Sequence, residues 1–193
     1  MKLAVVFPGI GYHKDKPLLY YSSKLVSGLG YDIKYIEYSD MPAKIRGNAE
    51  MMKKAALLAY DQSIKQLKDT DLSSYEDIIF IGKSIGTVAM AKYTFDNKIN
   101  ARQIWYTPVE ATFMFAHEGI LAFIGDADPW SDVDNVKKMA RDKGVTLYSY
   151  PGCNHSLECD DVDKNLVNIR DVMNKTKEYI NDQEVKFNEG AYT

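Results

Sequence analysis

Apolar and polar positions along this chain fall into two alternating textures. Short runs rich in Val, Ile, Phe and Tyr occupy residues 3–7, 33–38, 78–81, 103–106, 121–124 and 146–150. Such runs read as strands, and their near-continuous apolar character is that of strands covered on both faces. Longer stretches with apolar residues at helical spacing lie between and after them, near 17–29, 48–67, 85–95, 133–143 and 163–181. Asn48 and either Ser131 or Asp132 stand where an N-cap is needed. Alternation of this kind predicts an α/β protein, a three-layer α/β/α sandwich on a mostly parallel six-stranded sheet. The stretch 110–118 leaves room for one helical turn between two strands. The length of 193 residues suits one domain spanning 1–193, with a polar, loose tail after residue 182.

Composition narrows the classes of function. Apolar residues make up 46% and charged residues 26%, and the net charge of −3 argues against nucleic acid as a partner. The opening Met1-Lys2-Leu3-Ala4-Val5-Val6-Phe7-Pro8 is too short an apolar stretch for a signal peptide. No run approaches the roughly 18 residues of a membrane span, so a cytoplasmic location without membrane attachment is expected. Cys153 and Cys159 are too few for a disulfide framework. With His155 between them they invite a zinc assignment, but a fourth ligand and C-x-x-C pairing are missing. No metal or organic cofactor is expected, and nothing in the pattern specifies an oligomeric state.

The most informative motif is Gly82-Lys83-Ser84-Ile85-Gly86, directly after the apolar run 77–81 and directly before a helical pattern. A P-loop would need a glycine at position 77, where the chain has Asp. The other glycine-rich turn, Gly9-Ile10-Gly11-Tyr12-His13-Lys14, has Lys14 where a dinucleotide fingerprint needs its third glycine. Gly-x-Ser-x-Gly between strand and helix has a different logic. It forces the serine onto a sharp turn, exposes its hydroxyl above the sheet edge and aims the Ile85 amide where an oxyanion would form. The competing reading of Ser84 is an ordinary helix N-cap.

A serine hydroxyl needs a base to take its proton and an acid to orient that base. Asp128 follows the fifth predicted strand in Gly125-Asp126-Ala127-Asp128-Pro129-Trp130, and His155 follows the sixth in Pro151-Gly152-Cys153-Asn154-His155. The order is serine, acid, histidine, at separations of 44 and 27 residues. In a parallel sheet the loops after the strands share one edge, so these three can converge. Asp126 is a rival acid, and His13 and His117 read as solvated or pocket-lining residues.

The elbow, the Gly-x-x-Asp-Pro turn and the glycine-bearing loop before His155 together resemble the α/β-hydrolase family over nearly the whole chain. Strand 3–7 matches that family's third strand, so the fold implied is a reduced version lacking the usual opening hairpin. The resemblance implies Ser84 as nucleophile, Asp128 as orienting acid and His155 as general base. It also makes Glu110, after the fourth strand, a second rival to Asp128. The loop 7–12 sits where the family places its second oxyanion donor, the amide of Ile10 or of Gly11, alongside Ile85. Lys83 stands where His, Tyr or Asp is usual and bears on the substrate charge that the site prefers. Gly11, Tyr12, Lys83, Phe113 and Trp130 are candidate pocket residues, with Met114 and Phe115 near them. The short 110–118 connection implies that a large lid is absent. The activity implied is hydrolysis of a small carboxylic ester or thioester through an acyl-serine. Amide, carbon–carbon bond or acyl-transfer chemistry, and a non-catalytic binding protein of the same fold, are the alternatives.

Overall fold

Six strands, β1 (Lys2–Phe7), β2 (Tyr31–Tyr35), β3 (Asp77–Lys83), β4 (Arg102–Tyr106), β5 (Leu121–Gly125) and β6 (Thr146–Tyr150), form one sheet in the order β2-β1-β3-β4-β5-β6. Every pairing is parallel. The connecting helices are α1 (Pro17–Gly28), α2 (Ala49–Leu67), α3 (Ile85–Asp96), α4 (Val133–Asp142) and α5 (Val162–Gly190), with 3-10 turns at Leu72–Ser74 and Glu110–Phe115. The computed structural model describes residues 1–190, with side chains through residue 182. The tail expected to be loose lies outside the residues described with side chains.

Side chains alternate across each strand, and the two faces build two cores. Leu3, Val5, Phe7, Ile78, Phe80, Trp105, Ala122 and Ile124 face a cluster completed by residues of α2, α3 and α4. Ala4, Val6, Ile79, Ile81, Ile104, Tyr106, Leu121 and Phe123 face the other way, onto residues of α1 and α5. This accounts for the continuous apolar runs, since both sides of β1, β3, β4 and β5 are dry.

The main departure from the sequence pattern is β2, which pairs from Tyr31 and leaves the sheet after Tyr35. The Ile36 amide still donates to the Val6 carbonyl, 2.9 Å away. Beyond it, side-chain amides of α2 replace the strand partner. Gln66 bonds both backbone groups of Glu37, and Gln62 bonds both of Ser39. An apolar run alone does not reveal that two glutamines on a following helix will take over the ladder. Asn48 caps α2 through the Met51 amide, and of the two candidates at α4 it is Asp132 that caps, through the Asn135 amide.

Strand order reverses direction at β1, which has β2 on one side and β3 on the other. The loops leaving the carboxyl ends of β1 and β3 therefore diverge and open a crevice between them, the usual ligand position in such sheets. Two glycines let the surrounding chain close on that crevice. A Cβ on Gly86 would collide with the carbonyl oxygens of Phe7 and Pro8, and one on Gly125 with the carbonyl oxygen of Cys153. Gly86 thus lets α3 sit against the end of β1, and Gly125 brings together the turns after β5 and β6.

Candidate active site

Ser84 sits at φ 54°, ψ −123°, between β3 and α3, a strained conformation for a residue with a Cβ. Its amide donates to the Tyr106 carbonyl (2.9 Å), which fixes the elbow to β4. The hydroxyl makes no capping bond to α3, contrary to the N-cap reading. Instead Ser84 Oγ lies 2.7 Å from His155 Nε2. His155 Nδ1 in turn lies 2.7 Å from Asp128 Oδ2. An ionised carboxylate can only accept, so Nδ1 carries the ring proton and Nε2 is left to accept from the serine hydroxyl.

Asp128 is held on both oxygens, because the Trp130 amide donates to Oδ1 at 2.9 Å. The rival acids are occupied elsewhere. Asp126 accepts from the Gly152 amide (2.6 Å) and steadies the loop after β6, while Glu110 accepts from the Asp132 amide (2.6 Å) at the start of α4. His155 engages both ring nitrogens within this chain, and Cys153 and Cys159 are free thiols. His13 and His117 do not line the Ser84 cavity and have other partners, an exposed Asp15 for the first and Gln103 and the Glu118 carbonyl for the second.

Burial pushes the His155 imidazole down to about 4, with the neighbouring Lys83 acting in the same direction and Asp128 opposing both. At neutral pH the ring is therefore in its basic form. The Trp130 indole stacks on it, with ring centroids 5.3 Å apart and planes 26° from parallel, covering one imidazole face. In the loop after β1, the Gly9 and Tyr12 amides are consumed by each other's carbonyls (3.1 and 3.3 Å). That bridge leaves Ile10 and Gly11 at the tip of the loop, where their amides and the Ile85 amide at the start of α3 are the candidate oxyanion donors.

A cavity of about 190 Å³ opens above Ser84. Gly11, Tyr12, Lys83 and Trp130 line it as the sequence predicts, but Phe113 does not. Phe113 is fully buried in the core on the α3 face, edge-on to Trp105 at 5.4 Å. The 3-10 turn that carries it points that ring down onto the sheet and leaves Met114 exposed. Ile45, Met52, Val109 and Ser156 line the cavity without having been predicted to do so. Ile45 was detectable as the one apolar residue in the polar stretch Lys44-Ile45-Arg46-Gly47-Asn48. It is 5% exposed and packs with Ala55, Ile85, Val88 and Val109 in a small separate core. Apolar cover of the site thus comes from the β2–α2 connection rather than from the short 110–118 segment.

No protein-family model matches the chain, and neither does any curated protein sequence. Solved structures do match. An α/β serine hydrolase homologue from Coxiella burnetii superposes with a TM-score of 0.65 at 16% identity, covering 91% of this chain and 84% of that one. An esterase from Pyrococcus furiosus gives 0.65 at 12% identity, over 93% and 82%. A lidless α/β serine hydrolase from Xanthomonas campestris gives 0.63 at 12% identity, over 94% and 82%. The chain has a reduced α/β-hydrolase fold. Among the described residues no helix is long and apolar enough to cross a membrane.

Proposed function

We propose that this protein is a serine hydrolase of small carboxylic esters or thioesters. The observation that carries the reading is the unbroken hydrogen-bonded chain from Asp128 through His155 to Ser84 Oγ, ending on a strained turn beside free helix-start amides. Ser84 Oγ attacks the substrate carbonyl while His155 Nε2 takes its proton. Amides of Ile85 and of Ile10 or Gly11 hold the resulting oxyanion, a donor of this kind being worth about 3 kcal/mol. Collapse expels the alcohol or thiol, which leaves with the proton from Nε2, and an acyl-serine remains. One water, deprotonated by the same nitrogen, then cleaves it to the free acid and restores Ser84. Asp128 keeps the ring in the productive tautomer throughout. A cavity of about 190 Å³ suits a small acyl group.

The test is covalent labelling with a fluorophosphonate, read as intact mass. A single adduct on the wild type that is absent from Ser84→Ala is expected. A folded wild type that takes no adduct would instead point to a binding protein built on the same fold.

A further inference from the structure

Lys83, the residue before the candidate nucleophile, is a full-length cationic side chain with only 1% of its surface exposed. As the last residue of β3 it points to the α1 and α5 face of the sheet, opposite Gly82, and its Cγ lies close under Gly9. The loop after β1 folds over it, setting the ammonium 4.8 Å from the centroid of the Tyr12 ring. The Tyr12 hydroxyl is fixed in turn, accepting from the Leu18 amide at 3.1 Å. Among the described residues the ammonium has no hydrogen-bond acceptor and no carboxylate within ion-pair distance. Asp128 is committed to His155 and Trp130, and Glu158 is exposed. What surface Lys83 keeps faces the cavity that it lines with Ser84, His155 and Ser156.

A buried ammonium without an anion is costly to a fold, and proteins nearly always pair it. We infer that the missing partner is on the substrate: Lys83 with Tyr12 and Ser156 forms a subsite for a carboxylate carried by the ester or thioester that Ser84 attacks. The cavity is built for such a two-ended molecule. Ile45, Met52, Ile85, Val109 and Trp130 give it apolar lining that belongs to one small core, whereas Tyr12 and Lys83 come from the opposite face of the sheet. Desolvation pushes the amino group down to about 7 against the pull of Asp128 and Glu158, and a carboxylate bound beside it would favour the charged form again. Its position also affects the chemistry. The ammonium lies close enough to His155 to oppose protonation of the ring, and acylation requires that protonation. A substrate carboxylate on Lys83 cancels this opposing field, so charged esters gain in the transition state as well as in binding, and uncharged ones do not.

The inference rests on the hydrolase reading, and a substrate series separates the two. The monoethyl esters of succinic, glutaric and adipic acid are compared with ethyl butyrate, valerate and hexanoate, which have the same chain lengths and no charge. The wild type is expected to favour at least one charged ester by about ten-fold or more in kcat/KM over its uncharged match. In Lys83→Met that ratio collapses toward one. Lys83→Gln serves as a second variant of similar length should the first fail to fold. The inference is overturned if the wild type labels at Ser84 and cleaves uncharged esters with no preference at any length. It is equally overturned if the preference survives in the variants, or if both ester types lose rate in proportion, which would make Lys83 a general support of the oxyanion. Should Ser84 resist labelling, the hydrolase reading fails while the subsite is still read by melting temperature. Glutarate is expected to raise that of the wild type and not that of Lys83→Met, and equal shifts would sink the subsite as well.

Discussion

Two buried charges flank Ser84, and they are treated in opposite ways. Asp128 is 5% exposed and both of its oxygens are bonded, one to the Trp130 amide and one to His155. Lys83 is more deeply buried still, and among the described residues its ammonium has the Tyr12 ring face 4.8 Å away and no hydrogen-bond or ion-pair partner. Both lie at or just beyond carboxyl ends of strands, so topology does not explain the difference. A charge whose partners are built into the chain is part of a preformed machine and is held whether or not substrate is present. A charge without them costs stability in the free protein and repays it only when something arrives. Departures from full polar satisfaction of this kind concentrate at functional sites.

Breaking the satisfied side should have the largest effect. In Asp128→Asn the new amide can donate to Nδ1, which selects the tautomer with the proton on Nε2, where the serine hydroxyl needs an acceptor. A loss of about 10⁴-fold in kcat is expected with the fold intact. Ester turnover alongside circular dichroism measures it, and a loss below about 100-fold would mean that Asp126 or Glu110 can stand in. Next in size is Gly125→Ala. The added methyl meets the Cys153 carbonyl, so the turn carrying Asp128 and the loop carrying His155 must separate. About 3 kcal/mol of stability should be lost in urea unfolding, with activity falling further than stability explains.

The satisfied side was also the legible side. Gly82, Ser84 and Gly86 between an apolar run and a helical one, with Asp128 and His155 after later strands, made the elbow and the three residues of the hydrogen-bonded chain readable in sequence. These are local features of strand ends, which a parallel sheet gathers at one edge whatever the rest of the chain does. The other side depended on tertiary detail. That Lys83 is buried follows from the Gly9–Tyr12 loop closing over it, and no property of residue 83 itself records this. Ile45 and Met52 reach the cavity because α2 and the connection before it settle across α3, as the Gln62 and Gln66 bonds to residues 37 and 39 arrange. Phe113 shows the converse error: an aromatic ring in a short loop near the site is as readily core as pocket, and here Trp105 claims it.

Trp130 joins the two sides, since its backbone holds Asp128 while its ring covers His155 and lines the cavity. Trp130→Ala keeps the amide and removes the ring. A drop of about ten-fold in kcat is expected from a less constrained imidazole, with Ser84 still labelled. A Trp130→Phe variant that recovers most of the rate would assign the effect to stacking rather than to the indole nitrogen.

The finest distinction between the two sides appears as a slope against pH rather than a step. Burial depresses both His155, to about 4 from an ordinary 6.5, and Lys83, to about 7 from 10.5. For a base depressed on folding, the unfolded chain still holds the proton that the folded chain has released. Stability therefore rises with pH between the folded and unfolded values, from about 4 to 6.5 for His155 and from about 7 to 10.5 for Lys83. Each slope stays below about 1.4 kcal/mol per pH unit, the limit for a single proton. In Lys83→Met the upper rise should vanish, because the depressed amino group is gone and the other shifted groups of that range, Cys153 and the buried tyrosines, are raised by burial and so lower stability as pH rises. The lower rise should begin at higher pH and be smaller, since the ammonium that helped to depress His155 is gone while the unfolded value stays at 6.5. Urea midpoints of wild type and variant across this range measure both effects. An upper rise of equal size in wild type and Lys83→Met would mean that another group produces it and that Lys83 is not depressed, as an ammonium already paired in the free protein would not be, and the contrast with Asp128 would disappear.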